Sequence, residues 1–231
     1  MREITFGQTL QTTAVKTSGL GDVAMTPDGR EWVYIEANEA ISLGHALTRA
    51  ANVDADTIAS ATDGEGKITL LTQASAGWTA GQFAGAYGLV DAGTGSGQFF
   101  KVRTNTADTL QLTSETALTT ALSVSDSDIV LVTPFLADKT AITVLHQVPV
   151  GVAQVAFASG EFGWALRRGV GTVLAGAALV ANELCTPGDD TEGQVITVAS
   201  GETFDDASTF GRCLVANGTA DEGAMIDVNL L

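Results

Sequence analysis

Basic side chains are scarce in this chain. Eleven Lys and Arg stand against 27 Asp and Glu, a formal net charge of −16. Nucleic-acid binding draws on clustered cations that displace counterions from phosphates. The densest cluster here is Arg167-Arg168, with Lys101 and Arg103 next. No nucleic-acid partner is therefore expected. Histidine is limited to His45 and His146. Neither stands in an H-x-x-x-H spacing or beside a Cys at ligand distance, so no metal centre is expected. A catalytic base would also need a partnered nucleophile, and neither histidine has one in the sequence. The two cysteines, Cys185 and Cys213, are too few for a disulfide scaffold and read as small, half-buried residues. No apolar run approaches the roughly 20 residues that span a bilayer, so no membrane role is expected. Met1-Arg2-Glu3-Ile4-Thr5 lacks the basic-then-apolar order of a secretory signal, and a soluble product made in the cytoplasm follows.

What is abundant points to strands. Apolar residues make up 45% of the chain, enough for a real core, and charged residues only 16%. The 26 glycines, set among many Thr, Val and Ala, suit short strands and tight turns. Long helices would want more Leu, Glu, Lys and Arg. The fold class expected is all-β, built of barrel-like or sandwich-like units of short strands, with little helix.

Residues 1–31 are polar, without a periodic apolar face, and read as an extended N-terminal arm that orders against a neighbour. Trp32-Val33-Tyr34-Ile35 reads as a strand, with a second over 41–47; a helix over 37–50 competes, but Gly44 opposes it by about 1 kcal/mol. Residues 53–67 have the composition of a linker. Segments 67–72, 87–91, 98–104, 109–113 and 128–132 then follow at nearly regular spacing, a barrel or sandwich signal. Residues 63–134 form one compact inserted β domain on this reading. A further series, over 141–148, 151–158, 164–173, 194–199, 212–216 and 224–230, joins 32–62 to make a discontinuous core of 32–62 plus 135–231. Trp32 and Trp164 are each followed twelve residues later by Gly-x-Ala-Leu, and Ile41 and Val173 hold equivalent places. That spacing suggests one strand–turn–strand unit used twice.

Residues that could carry chemistry do not assemble into a motif. Gly93-Thr94-Gly95-Ser96-Gly97 lies after a strand, but a strand pattern follows it where a phosphate loop needs a helix. Ser96 is not in G-x-S-x-G. Asp54-x-Asp56, Asp126-x-Asp128, Asp189-Asp190 and Asp205-Asp206 offer Ca²⁺-type oxygens, but none completes an EF-hand, and solvated turns account for them. The sequon Asn217-Gly218-Thr219 has meaning only in a secreted chain. Neither a cofactor nor an enzyme activity is expected.

Two stretches carry a resemblance. Val150-Gly151-Val152-Ala153 through Glu161-Phe162-Gly163-Trp164 to Ala177-Ala178-Leu179-Val180 resembles the core of the head decoration, or cement, proteins of tailed bacteriophages. There a Gly-[Tyr/Phe]-Gly-Trp strand is followed by small residues, a Gly and Ala-Leu-Val. Gly77-Trp78 through Gly93-Thr94-Gly95-Ser96-Gly97-Gln98 to Asn105-Thr106-Ala107-Asp108-Thr109-Leu110 is similar to a β module of phage virion proteins. The resemblance implies a non-enzymatic virion protein on the outer capsid surface. Its partners would be the major capsid protein and further copies of itself, as a trimer at three-fold or pseudo-three-fold positions. The insert and the arm depart from the shorter family pattern. An adhesion module binding host-surface glycan is the alternative. Candidate partner-interface residues are Ile4 and Phe6 in the arm, Phe99 and Phe100 in the insert, and Phe162 and Trp164 in the core.

Overall fold

The computed structural model describes residues 2–55, 57–62, 67–140, 148–188, 191–198, 209–217 and 219–230. The chain is all-β, with 48% strand and 3% helix. It divides into two compact units, Met1–Ala50 with Phe135–Leu231, and Ala51–Pro134.

The strands of the first half are β1 (Arg2–Glu3), β2 (Val23–Met25), β3 (Glu31–Ala37), β4 (Ala46–Arg49), β5 (Val53–Ala55), β6 (Ala59–Thr62), β7 (Ile68–Thr72), β8 (Tyr87–Ala92), β9 (Phe99–Asn105) and β10 (Thr109–Leu112). The remainder are β11 (Asp128–Val132), β12 (Leu136–Lys139), β13 (Pro149–Ala153), β14 (Phe162–Leu174), β15 (Leu184–Pro187), β16 (Val195–Thr197), β17 (Gly211–Val215) and β18 (Gly223–Asn229). A single α-helical turn, α1 (Phe6–Thr9), lies near the N-terminus.

In the first unit, β3, β12, β4, β13 and β14 pair in that order and β14 returns to β3, which closes a five-stranded barrel. Successive side chains of a strand point to opposite faces. On β3, Val33, Ile35 and Ala37 therefore join a cluster with Ala137, Ala153 and Ala165. Trp32 and Tyr34 face a second, larger cluster with Trp164 and Leu166. The register agrees, since Trp164 opposes Tyr34 and Ala165 opposes Val33. A five-stranded bore is narrow, and alanines on four strands suit it. Gly163 opposes Ile35, and a Cβ there would stand 2.7 Å from the Phe157 ring, so glycine is what admits Phe157.

Beyond Leu166 the strand changes partner. The β3 register shifts between Leu166 and Arg168, and Gly169 adopts φ +105°. This bulge reverses which side chains face the core. Gly171 and Val173 become buried, and β14 continues against β18 from Arg168–Asn229 to Leu174–Gly223. Strands β18, β17, β15 and β16 extend that sheet over the larger cluster.

The N-terminal segment differs from the expected extended arm. Strand β1 pairs in parallel with β2, Ile4 is buried in the larger cluster, and its N–H donates to the Met25 carbonyl at 3.0 Å. Thr13 bridges Phe162, and the Tyr34 hydroxyl accepts the Thr17 N–H at 3.0 Å. Residues 2–31 thus belong to the first unit. Their polarity concealed this because the apolar side chains that anchor them, Ile4 and Ala24, are few and widely spaced.

The second unit begins at residue 51, not 63. Strand β5 pairs with β11 and β6 with β7, so seven of the ten described residues in the supposed linker are strand. Ala55 and Ile58 are its buried anchors. Seven strands run β5-β11-β8-β9-β10-β7-β6 over a cluster that includes Phe83, Phe100, Leu110 and Leu131. The proposed internal repeat is not present. Ile41 lies in the barrel cluster and Val173 in the larger one; Ala46 and Leu47 stand on β4, whereas Ala177 and Ala178 are exposed outside any strand. Most of 141–148 and 199 lie outside the described residues.

Candidate functional site

Side chains with reactive potential are placed where they do structural work. His45 is half-buried; its Nδ1 accepts the Ser42 N–H at 3.2 Å, which leaves the proton on Nε2 in the neutral ring. Burial, helped by the Lys139 charge and opposed by Glu39, lowers its pKa. His146 lies outside the described residues. Burial pushes the Cys185 thiol up to about 12, and burial also raises Cys213, so neither is poised as a thiolate nucleophile. Among the described residues no group of three or more His, Cys, Asp or Glu could hold a metal ion.

The glycine-rich loop is a pinned hairpin. A Cβ on Gly93 would stand 1.7 Å from the Asp126 carbonyl oxygen. Thr94 Oγ1 donates to Asp126 Oδ2 at 2.9 Å, and Ser127 Oγ donates to the Thr94 carbonyl at 2.7 Å. Gln98 Oε1 accepts the N–H groups of Thr119 and Thr120 at 2.8 and 2.9 Å, tying β9 to a distant loop. Asn105 Oδ1 accepts the Phe83 N–H at 2.8 Å while its Nδ2 donates to the Thr79 carbonyl at 2.8 Å. The Gly-Thr-Gly-x-Gly-Gln and Asn-Thr-x-x-Thr-Leu patterns thus serve to hold loops. Asp128 accepts from Thr57 N–H at 3.4 Å. Asp56, Asp189, Asp190, Asp205 and Asp206 lie outside the described residues.

What remains is surface, and the six expected interface residues divide. Ile4, Phe100 and Trp164 are interior and unavailable to a partner. The reason is parity for Phe100 and Trp164, whose strand positions face the cores. Phe162 is half-buried and stacks on Tyr34 at 6.5 Å. Phe6 and Phe99 are exposed. Phe6 lies against the Arg30 guanidinium, 5.3 Å from its ring centroid, and the same guanidinium is 5.3 Å from Trp32. Around Phe99 the structure adds residues the sequence reading missed: Tyr87 and Leu89 on β8 are also exposed, and Val130 and Val132 on β11 half-buried. Alternation along 87–91 carried the signal, because burying Val90 commits Tyr87 and Leu89 to the opposite face. No family model, curated protein or solved structure matches this chain.

Proposed function

We propose that this chain is a structural protein of a phage particle, bound to the outside of the assembled capsid as a trimer at three-fold or pseudo-three-fold positions, where it strengthens the shell. One observation carries the reading: the N-terminal segment lies over the Phe162-Gly163-Trp164 strand while exposing Phe6, Leu10 and Val15 at 44%, 57% and 70%. Three large apolar side chains exposed within ten residues of one folded segment suit a protein partner. Their burial contributes about 25 cal/mol per Å² before association costs. A surface of net charge −16 suits a position facing solvent rather than packaged DNA.

The test adds purified protein to particles stripped of it and measures binding and the temperature of DNA release. Saturable binding at a fixed ratio to the capsid protein and a higher release temperature are expected. The Phe6→Ser/Leu10→Ser variant should fold and fail to bind. Binding only to tails or host cells would favour the glycan-adhesion alternative, and no binding to capsids would end the decoration reading.

A further inference from the structure

The second unit's sheet has a face that differs from an ordinary solvated one. On β8 and β9 the core takes Val90, Phe100 and Val102, and on β11 it takes Ile129 and Leu131. The opposite side carries Tyr87, Leu89, Phe99, Val130 and Val132, where an antiparallel sheet would normally place polar residues. The register aligns Val132, Tyr87 and Lys101 in one row and Val130, Leu89 and Phe99 in the next. Tyr87 and Phe99 already stack at 5.5 Å with their planes 19° apart, and Lys101 Nζ lies 5.3 Å from the Tyr87 ring centroid. Side chains ordered before contact lose little entropy on binding.

Charge on this face is polar along the strands. Asp91 follows Leu89 at one end of β8, and Arg103 follows Lys101 at the other end of the patch, about 20 Å away at ~3.4 Å per residue. Of the three basic residues in 51–134, Lys67, Lys101 and Arg103, two stand here. We infer that this face pairs with the same face of a second copy of this chain, about a two-fold axis that crosses β8 at Gly88. Such an axis exchanges the two ends. Tyr87 of each copy then meets Leu89 of the other, Val132 meets Val130, and Asp91 comes to the level of Arg103, one strand (~4.8 Å) to its side and within reach of its long side chain. An isologous contact needs this self-complementarity, and a uniformly acidic face would lack it.

The patch spans three strands at ~4.8 Å and about 20 Å of strand, on the order of 300 Å² per copy. That is well below the standard protein interface, so the pairing is a weak, reversible and concentration-dependent one. The inference stands apart from the capsid reading, which rests on the first unit's N-terminal segment.

Sedimentation velocity of the full chain from about 5 to 500 μM tests it. Wild type should show an association step that Leu89→Glu weakens by about tenfold or more. Asp91→Arg and Arg103→Asp should each weaken it, and the double variant should restore it, because exchanging the charges preserves complementarity. Because these side chains are exposed, circular dichroism should show every variant folded. A wild type that stays monomeric throughout overturns the proposal. So does a Leu89→Glu variant that associates like wild type, or a double variant no better than its parents.

Discussion

Ile4 and Phe6 stand two residues apart, and the structure assigns them opposite consequences. Ile4 is 2% exposed and packs in the cluster that holds Trp32, Tyr34 and Trp164. Truncating it to Ala removes three buried carbons and leaves a cavity, a change that costs about 2–5 kcal/mol in well-packed cores. Near a chain end the surroundings can partly collapse, so the lower half of that range, about 2–3 kcal/mol, is expected. Phe6 makes a cation–π contact with Arg30, worth about 0.5–1 kcal/mol at an exposed site. Phe6→Ala should therefore hardly move stability while abolishing capsid binding. The assay is urea unfolding followed by tryptophan emission in a Trp78→Phe background, where Trp32 and Trp164 report on the first unit alone. With a urea dependence of about 2–3 kcal/mol per M, Ile4→Ala should lower the midpoint on the order of 1 M. An unchanged midpoint would mean that this segment docks elsewhere in solution, as an arm reaching a neighbour would. A Phe6→Ala loss as large as that of Ile4→Ala would refute the division equally.

Two further outcomes follow from the same contacts. Replacing 51–134 by a short Gly/Asn turn should leave the first unit folded, with one cooperative transition by tryptophan emission; a molten or insoluble product would show that the units depend on each other. For His45, burial lowers the folded pKa beneath the ordinary value of 6.5, so the fold favours the neutral ring. The stability this group contributes is complete above about pH 6.5 and is lost as pH falls through the folded pKa. His45→Gln should flatten the decline of melting temperature below pH 6.5, and a slope identical to wild type would contradict the burial assigned to this ring.

Local pattern made several strands legible. The expected strand over 128–132 coincides with β11, and those over 67–72, 87–91, 98–104 and 109–113 fall within a residue of β7, β8, β9 and β10 at each end. Each is short and bounded by turn formers, so pattern and structure agree. Strands β5 and β6 were hidden because their Ala, Ser and Asp residues carry little β signal, and pairing with β11 and β7 determines them instead. Barrel closure was equally invisible, since the β3–β14 pairing joins residues more than a hundred positions apart. The site was half legible: adjacent Phe99 and Phe100 must face opposite ways, but only the register shows Tyr87 and Leu89 beside Phe99.

The position of the insertion explains how one chain can carry two independent surfaces. It lies between β4 and β12, which pair antiparallel with Arg49 opposite Ala137, while the Ala50 N–H donates to the Leu136 carbonyl at 2.8 Å. The barrel thus presents two ends side by side, where a hairpin turn would ordinarily close them. The second unit offers a matching pair. Its first strand, β5, is antiparallel to its last, β11, with Val53 opposite Leu131. A folded domain whose ends already adjoin acts as a short loop, whereas an unstructured connection of that length would cost about 3 kcal/mol more in closure entropy than a two-residue turn. Neither unit must shift its register to accept the other. Substitutions on the Tyr87–Phe99 face should therefore leave the stability of the barrel unchanged, and those at Ile4 should leave the second unit unchanged, with their effects adding as independent sites do. Selection can then alter what the inserted face binds without disturbing the barrel or its N-terminal segment.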